Sequence, residues 1–332
     1  MNKKAFIIYA LLFCAVAVVS PWIGPESITP SEVFAADSSK TTTPAQEIFL
    51  FQRIPRVLLA LIAGGTLALT GAVFQVLFRN PLVEPFTLGI SGSSALGAFI
   101  TILYPSLWLK WGPFSSVQLF AVLGAGICLL LIYSLSNRPE GVSIYTLLLA
   151  GVTISIICSG AILLLTYLSD PHSLVVFQHW MMGGIDVIGY KSLYSLVPLL
   201  IPAAAVLFFY SKELNHMALN DEMAVGHGVD IQTVRRNVFI GGGVAAASVV
   251  SVVGPIGFVG LIVPHAVRRI SGFDQRTVLP CSFFLGGASL ALCDAAARTL
   301  IAPTELPVGI ITAVIGGPLF IRLLVSRRIH KI

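Results

Sequence analysis

The chain has 332 residues, of which 56% are hydrophobic and 11% charged, and its mean hydropathy is +0.91. A soluble domain carries about 25% charged residues, so this composition excludes a water-soluble globular protein. The formal charge of +5 does not call for nucleic acid; in so apolar a chain it reflects basic loops on the cytoplasmic side of a membrane.

A hydrocarbon core about 30 Å thick takes roughly 20 apolar helical residues to cross. In chain order, such runs lie near 5–23, 57–78, 87–105, 115–135, 144–168, 192–210, 238–254, 278–298 and 307–325, with a shorter one near 256–267. The first follows Lys3 and Lys4. It reads as a retained helix, because it ends near Ser20, and Pro21 and Pro25 separate it from Val33-Phe34-Ala35, which could pass for a signal-peptide cleavage motif. A polar outer segment, 24–52, is rich in Ser, Thr and Pro. An inner segment, 211–237, alternates apolar and polar residues at near-helical spacing around Gly226 and Gly228. That pattern predicts two short amphipathic helices with the glycines in the turn between them; a loop lying on the headgroups is the alternative.

Basic residues orient the spans. With a cytoplasmic N-terminus and ten crossings, only Lys40, Arg53, Arg56, Lys110, Lys191 and Arg298 fall outside, and the other fourteen of the 20 Lys and Arg fall inside. Dropping the short run would move Arg268, Arg269, Arg276 and the basic C-terminus outside. The charge bias therefore favours ten spans, with both termini cytoplasmic, in a multi-pass protein of the inner or plasma membrane.

The chemistry within the spans is sparse. The five cysteines, Cys14, Cys128, Cys158, Cys281 and Cys293, lie in apolar runs without a C-x-x-C, so neither a disulfide framework nor a metal site is implied. Asp294 and Arg298 are the charges set farthest into a run, and their i, i+4 spacing lets them pair. An ion-coupled carrier would bury acids near the midplane. The six histidines are scattered, and no Ser/His/Asp arrangement emerges. No G-x-x-x-x-G-K-[ST] loop occurs, so an ATP-driven process would take its energy from another chain. A free-standing channel or ion-coupled carrier is the rival in a different class.

R-I-P-R at 53–56 precedes an apolar helix that ends in G-A-V-F-Q-V-L-F-R-N-P-L-V-E-P-F-T-L-G-I-S-G at 71–92. T-L-L-L-A-G-V follows at 146–152, W-M-M-G-G at 180–184 and L-N-H-M-A-L-N-D-E-M-A-V-G-H-G-V at 214–229. G-P-I-G-F-V-G-L-I-V-P-H-A-V-R-R stands at 254–269 and E-L-P-V-G-I-I-T-A-V-I-G-G-P-L-F at 305–320. This series resembles the FecCD family, the permease subunits of ABC importers for iron–siderophore complexes, haem and vitamin B12. The resemblance covers nearly all of the chain from about residue 50.

The resemblance implies an all-α polytopic fold of about ten helices, the type II importer permease fold, with residues 1–332 as one transmembrane domain. It implies two permease subunits, as a homodimer or heterodimer, two ATPase subunits and an extracytoplasmic binding protein. The cargo would be a metal chelate, a ferric siderophore before haem or cobalamin. The chain would not itself be an enzyme; ATP would be used by the partners, and no cofactor would be bound directly. Residue roles carry over by motif. Arg53, Arg56 and Arg298 would face outward and meet acids of the binding protein, with interfacial snorkelling as the plainer role. Asn80 and Leu82, around Pro81, would form one cytoplasmic gate. Ser143, Ile144 and Tyr145 would form a second, although Ile144 and Tyr145 are bulkier than the small hydroxyl residues usual there. Leu214, Met217, Leu219, Glu222, Ala224 and Gly228 would couple to the ATPase, with Glu222 and the apolar Met217, Leu219 and Ala224 forming the contact.

Overall fold

The computed structural model describes residues 3–34, 43–108, 112–138 and 141–329. Lys40, Lys110 and Lys331 lie outside them, as does part of the polar outer segment. The helices, in chain order, are α1 (Lys3–Val19), α2 (Pro30–Phe34), α3 (Pro44–Ile48), α4 (Ile54–Leu77), α5 (Ile90–Leu103), α6 (Ser116–Ser136), α7 (Ile144–Leu168) and α8 (Pro171–Met181). There follow α9 (Lys191–Phe209), α10 (Ser211–Met217), α11 (Asp221–Gly226), α12 (Ile231–Val253), α13 (Val259–Ser271), α14 (Gln275–Thr299) and α15 (Val308–Ile329). A two-residue antiparallel pair, β1 (Asn137–Arg138) with β2 (Gly141–Val142), closes the connection from α6 to α7.

Each of the ten apolar runs is a helix: α1, α4, α5, α6, α7, α9, α12, α13, α14 and α15. Seven segments among the described residues are long and apolar enough to cross a membrane by themselves. The shorter ones include α5 and α13, of 14 and 13 residues, or about 20 Å each at 1.5 Å per residue. They span only as part of a bundle that covers their ends.

Helix α4 is the hub. The apolar window of the segment from Pro44 to Leu77 is 89% buried, against 17% for α7. An apolar helix buried on all sides needs close neighbours. Gly64 lets α4 meet α14 at Gly286, and Gly71 lets it meet α13 at Gly260; a Cβ at any of the four would run into backbone of the other helix. In lipid, where burial of apolar surface gives little drive between helices, such contacts supply the attraction. Leu149, Ile156, Leu163 and Tyr167 of α7 and Val314, Ile315 and Ile321 of α15 are exposed. Those faces await lipid or a second subunit.

Three boundaries differ from the sequence expectation. The outer segment does not run as a loop to residue 52. Thr43 and Gln46 form a reciprocal capping box, and a π-turn, Phe49–Arg53, carries α3 straight into α4. The inner segment is helical again from Ile231, because the Asp230 side chain caps α12 by accepting from Thr233. Its two short helices are present, but their turn is 218–220, with Asn220 capping α11; Gly226 and Gly228 stand at the far end of α11. Helix α8 lies between the runs, started by the Asp170 cap and Pro171.

Candidate functional site

Three groups of side chains stand at the ends of the α4 hub. At its N-terminal end, the π-turn aims Arg53 under the outer segment, where it donates to the carbonyls of Pro21 (3.3 Å) and Glu26 (2.5 Å). Trp22, its ring tilted 40° against Phe49 at a centroid distance of 4.4 Å, covers the same turn. One turn on, Arg56 donates from Nε to Asp294 at 3.0 Å and from Nη1 to Glu305 at 2.5 Å. Arg298 closes the network from the far side: its Nε lies 3.1 Å from Asp294, and its Nη1 donates to the Ile23 carbonyl at 3.0 Å.

The i, i+4 pair is thus formed, and Arg56 joins it from 238 residues away. Asp294 is fully buried, and Arg298 and Arg53 are 2% and 5% exposed. All three arginines are tied into their own chain, and all three line a cavity of about 560 Å³ together with Glu26, Gln52 and Glu305; Arg53 and Arg298 are buried in its wall.

At the opposite end, about 36 Å along α4 at 1.5 Å per residue, Arg79 terminates the helix. It adopts φ +48°, and Asn80 N–H reaches back to the Gln75 carbonyl at 3.1 Å. This is a left-handed C-terminal cap, usually given to Gly or Asn because a Cβ is unfavourable there. The Arg79 side chain is anchored in return by the Met217 carbonyl (3.1 Å) and by Asp221 (2.5 Å). The Asn80 side-chain oxygen accepts from Leu82 N–H at 3.0 Å and builds the turn. Leu82 is half exposed.

The second gate segment begins α7. Ser143 caps it by accepting from Thr146. Ile144 packs on the core, and Tyr145 is 75% exposed. The preceding residue, Val142, is tied to α12: its N–H donates to Gln232 at 2.7 Å, and its carbonyl accepts from Arg235 at 3.3 Å.

Helices α10 and α11 form the third group. Leu214, Met217 and Ala224 are buried beneath them, which corrects their placement on a contact face. Leu219 and Glu222 are exposed, and so are Met223 and Val225, which the sequence reading left out. The signal was available, since on a short amphipathic helix the residues beside a buried Ala224 point away. Gly228 follows at φ +77° and returns the chain toward α12. Asn215 fastens α10 to the α13–α14 turn, donating to Asp274 (2.8 Å) and accepting from Gln275 N–H (2.7 Å). Burial pushes the Asp274 carboxyl up, but the Asn215 amide and the Arg276 N–H outweigh it and hold the group below the usual carboxylate range. The Thr233 hydroxyl and N–H likewise hold Asp230 below that range.

The model of the FecCD transport family matches residues 10–326. The chain belongs to that family. It is 37% identical to the hemin transport system permease HmuU of Yersinia pestis over 88% of this chain and 87% of that one. It is 34% identical to the vitamin B12 import permease BtuC of Escherichia coli O9:H4 (strain HS), over 98% and 96% of the two chains. Among solved structures, an inward-facing conformation of an ABC transporter assigned to the metal-chelate type superposes with a TM-score of 0.85 at 31% identity, covering 98% of this chain and 99% of that one. The protein is therefore a multi-pass ABC-importer permease, and its family implies ATPase partners and a second permease subunit.

Proposed function

We propose that this permease carries a metal chelate into the cell, a ferric siderophore first, through a path formed with a second copy or a homologue. The likeness to a metal-chelate transporter over nearly the whole chain carries this reading. Haem is the second reading, favoured by the 37% identity to a hemin permease, and cobalamin the third. Both termini lie in the cytoplasm. An extracytoplasmic binding protein docks over the Arg53–Arg56–Arg298 end and reaches its cavity with acidic side chains that compete with Glu305 for Arg56. The partner ATPases, which hydrolyse the ATP, seat on Leu219, Glu222, Met223 and Val225. Binding and hydrolysis shift the population between outward- and inward-open forms by moving α10 and α11 against the segments at 80–82 and 143–145.

The test is uptake by intact cells with and without the gene, offered labelled iron on a panel of siderophores, with haem and cobalamin alongside. Loss of one ferric siderophore alone is the expected result. Loss of haem or cobalamin uptake instead would move the cargo to that reading, and loss of none would refute the metal-chelate assignment.

A further inference from the structure

The two gate segments lie on different helices and do not bond to each other in any contact described above. Each is nevertheless tied to the same side chain. Arg79, which precedes Asn80, donates through Nη2 to Oδ1 of Asp221. Arg235, whose Nη1 holds the carbonyl of Val142 just before Ser143, donates through Nη2 to Oδ2 of Asp221. Both contacts are 2.5 Å. Asp221 is the first residue of α11, on the helix pair that faces the ATPase.

We propose that Asp221 is the positioning residue through which movement of α10–α11 reaches both gate segments. The inference rests on the reading of α10–α11 as the ATPase seat and of 80–82 and 143–145 as gates. Three features carry it. Each carboxylate oxygen takes one guanidinium, so displacement of α11 pulls on both arms together. The arms are also fixed at main chain: Arg235 holds the Val142 carbonyl beside the second gate segment, while Arg79, itself next to Asn80, is held by the Met217 carbonyl at the end of α10, so neither guanidinium swings freely as the helix pair moves. Finally, Asp221 and Arg79 are 38% and 37% exposed, and half-exposed ion pairs contribute little to stability. The bridge at Arg79 is therefore poorly explained as a stabilising device, whereas charge-assisted bonds of fixed geometry suit a linkage. Arg235 is the stiffer arm, with its side chain only 9% exposed.

The experiment uses the full permease–ATPase complex in proteoliposomes, with wild type compared with Asp221→Asn and Arg79→Gln. Transport per ATP hydrolysed is measured together with labelling of a Tyr145→Cys reporter by a membrane-impermeant maleimide. For Asp221→Asn the expected result is retained ATPase binding and hydrolysis, transport per ATP reduced about tenfold or more, and reporter labelling that no longer responds to ATP. Asp221→Glu, which keeps the charge, restores part of the coupling. Arg79→Gln cuts one arm and gives intermediate coupling; its half-exposed site keeps the test open should Asp221→Asn fail to fold. Wild-type coupling in either Asp221→Asn or Arg79→Gln would overturn the proposal. So would loss of ATPase binding in Asp221→Asn, which would make Asp221 a contact of the seat. If the wild-type reporter itself ignores ATP, the gate reading fails instead.

Discussion

Asp294→Asn tests the outer network most severely. The wild-type carboxylate is fully buried and serves Arg56 at 3.0 Å and Arg298 at 3.1 Å. Breaking a buried ion pair by removing one partner costs about 3–5 kcal/mol, because the other charge stays buried without compensation. Two features place this site toward the lower end. Arg56 keeps Glu305, and Arg298 keeps the Ile23 carbonyl. Against that, Arg298 Nη2 is buried without a bond even in the native network, so little reserve exists on that side. The expected loss is about 3 kcal/mol, read as apparent unfolding free energy in a denaturant titration of the detergent-solubilised protein. Asp294→Leu combined with Arg298→Met removes both charges of the i, i+4 pair and should cost clearly less than Asp294→Asn, since apolar replacements of buried pairs are often close to neutral. A loss below about 0.5 kcal/mol for Asp294→Asn, the range of an ordinary surface change, would refute the claim that this carboxylate neutralises the buried arginines.

The remaining predictions concern the helix contacts and both faces of the bundle. Gly71→Val drives a side chain into the Gly260 backbone, whereas a Cβ at Gly126 meets nothing within 4 Å; the first should abolish monodisperse protein in size-exclusion chromatography, and Gly126→Ala should not. Asp274→Ala loses the cap of α14 and the Asn215 tie, for about 1–2 kcal/mol. Because the folded-state pKa of Asp274 is depressed, its contribution is complete above the unfolded value of about 3.9 and lost as pH falls through the folded value. The stability difference between wild type and Asp274→Ala should therefore shrink on acidification; a constant difference would contradict the assignment. Met223→Asp, at an exposed site, should leave the fold intact and impair ATPase-driven transport, whereas Met217→Asp, 2% exposed in the wild type, should deplete folded protein. Arg53→Glu with Arg56→Glu should abolish uptake. Normal uptake by that variant would remove the docking role, and the burial of Arg53 requires the amount of membrane-inserted protein to be measured alongside.

The fold was legible where the physics is local. A run of about 20 apolar residues has few options in a bilayer other than a helix, so nine runs could be placed by length, and the short tenth, at 256–267, by the bias of Lys and Arg. The alternation at 211–229 showed a helix pair before any contact was known. The i, i+4 spacing of Asp294 and Arg298 gave their pairing for the same reason. Some missed elements also had local signals: Thr43 with Gln46 is a capping box, and Asp170-Pro171 is a helix start. What the sequence could not show was long-range. Arg53 reads as a surface anchor because its acceptors are main-chain carbonyls at Pro21 and Glu26, which carry no residue signature. Asp221 stands in the sequence as one polar residue of the amphipathic inner segment; only the fold brings Arg79 and Arg235 to its two oxygens.

The most direct test of the account is ATP-driven flux. The permease, reconstituted with its ATPase and binding protein in proteoliposomes, would be given a labelled ferric siderophore on the binding-protein side and ATP on the other. The account predicts accumulation that requires ATP hydrolysis and all three components, and that is abolished by a catalytically inactive ATPase. Equal chelate movement through the permease alone, without ATP, would contradict it and return the protein to the class of passive channels.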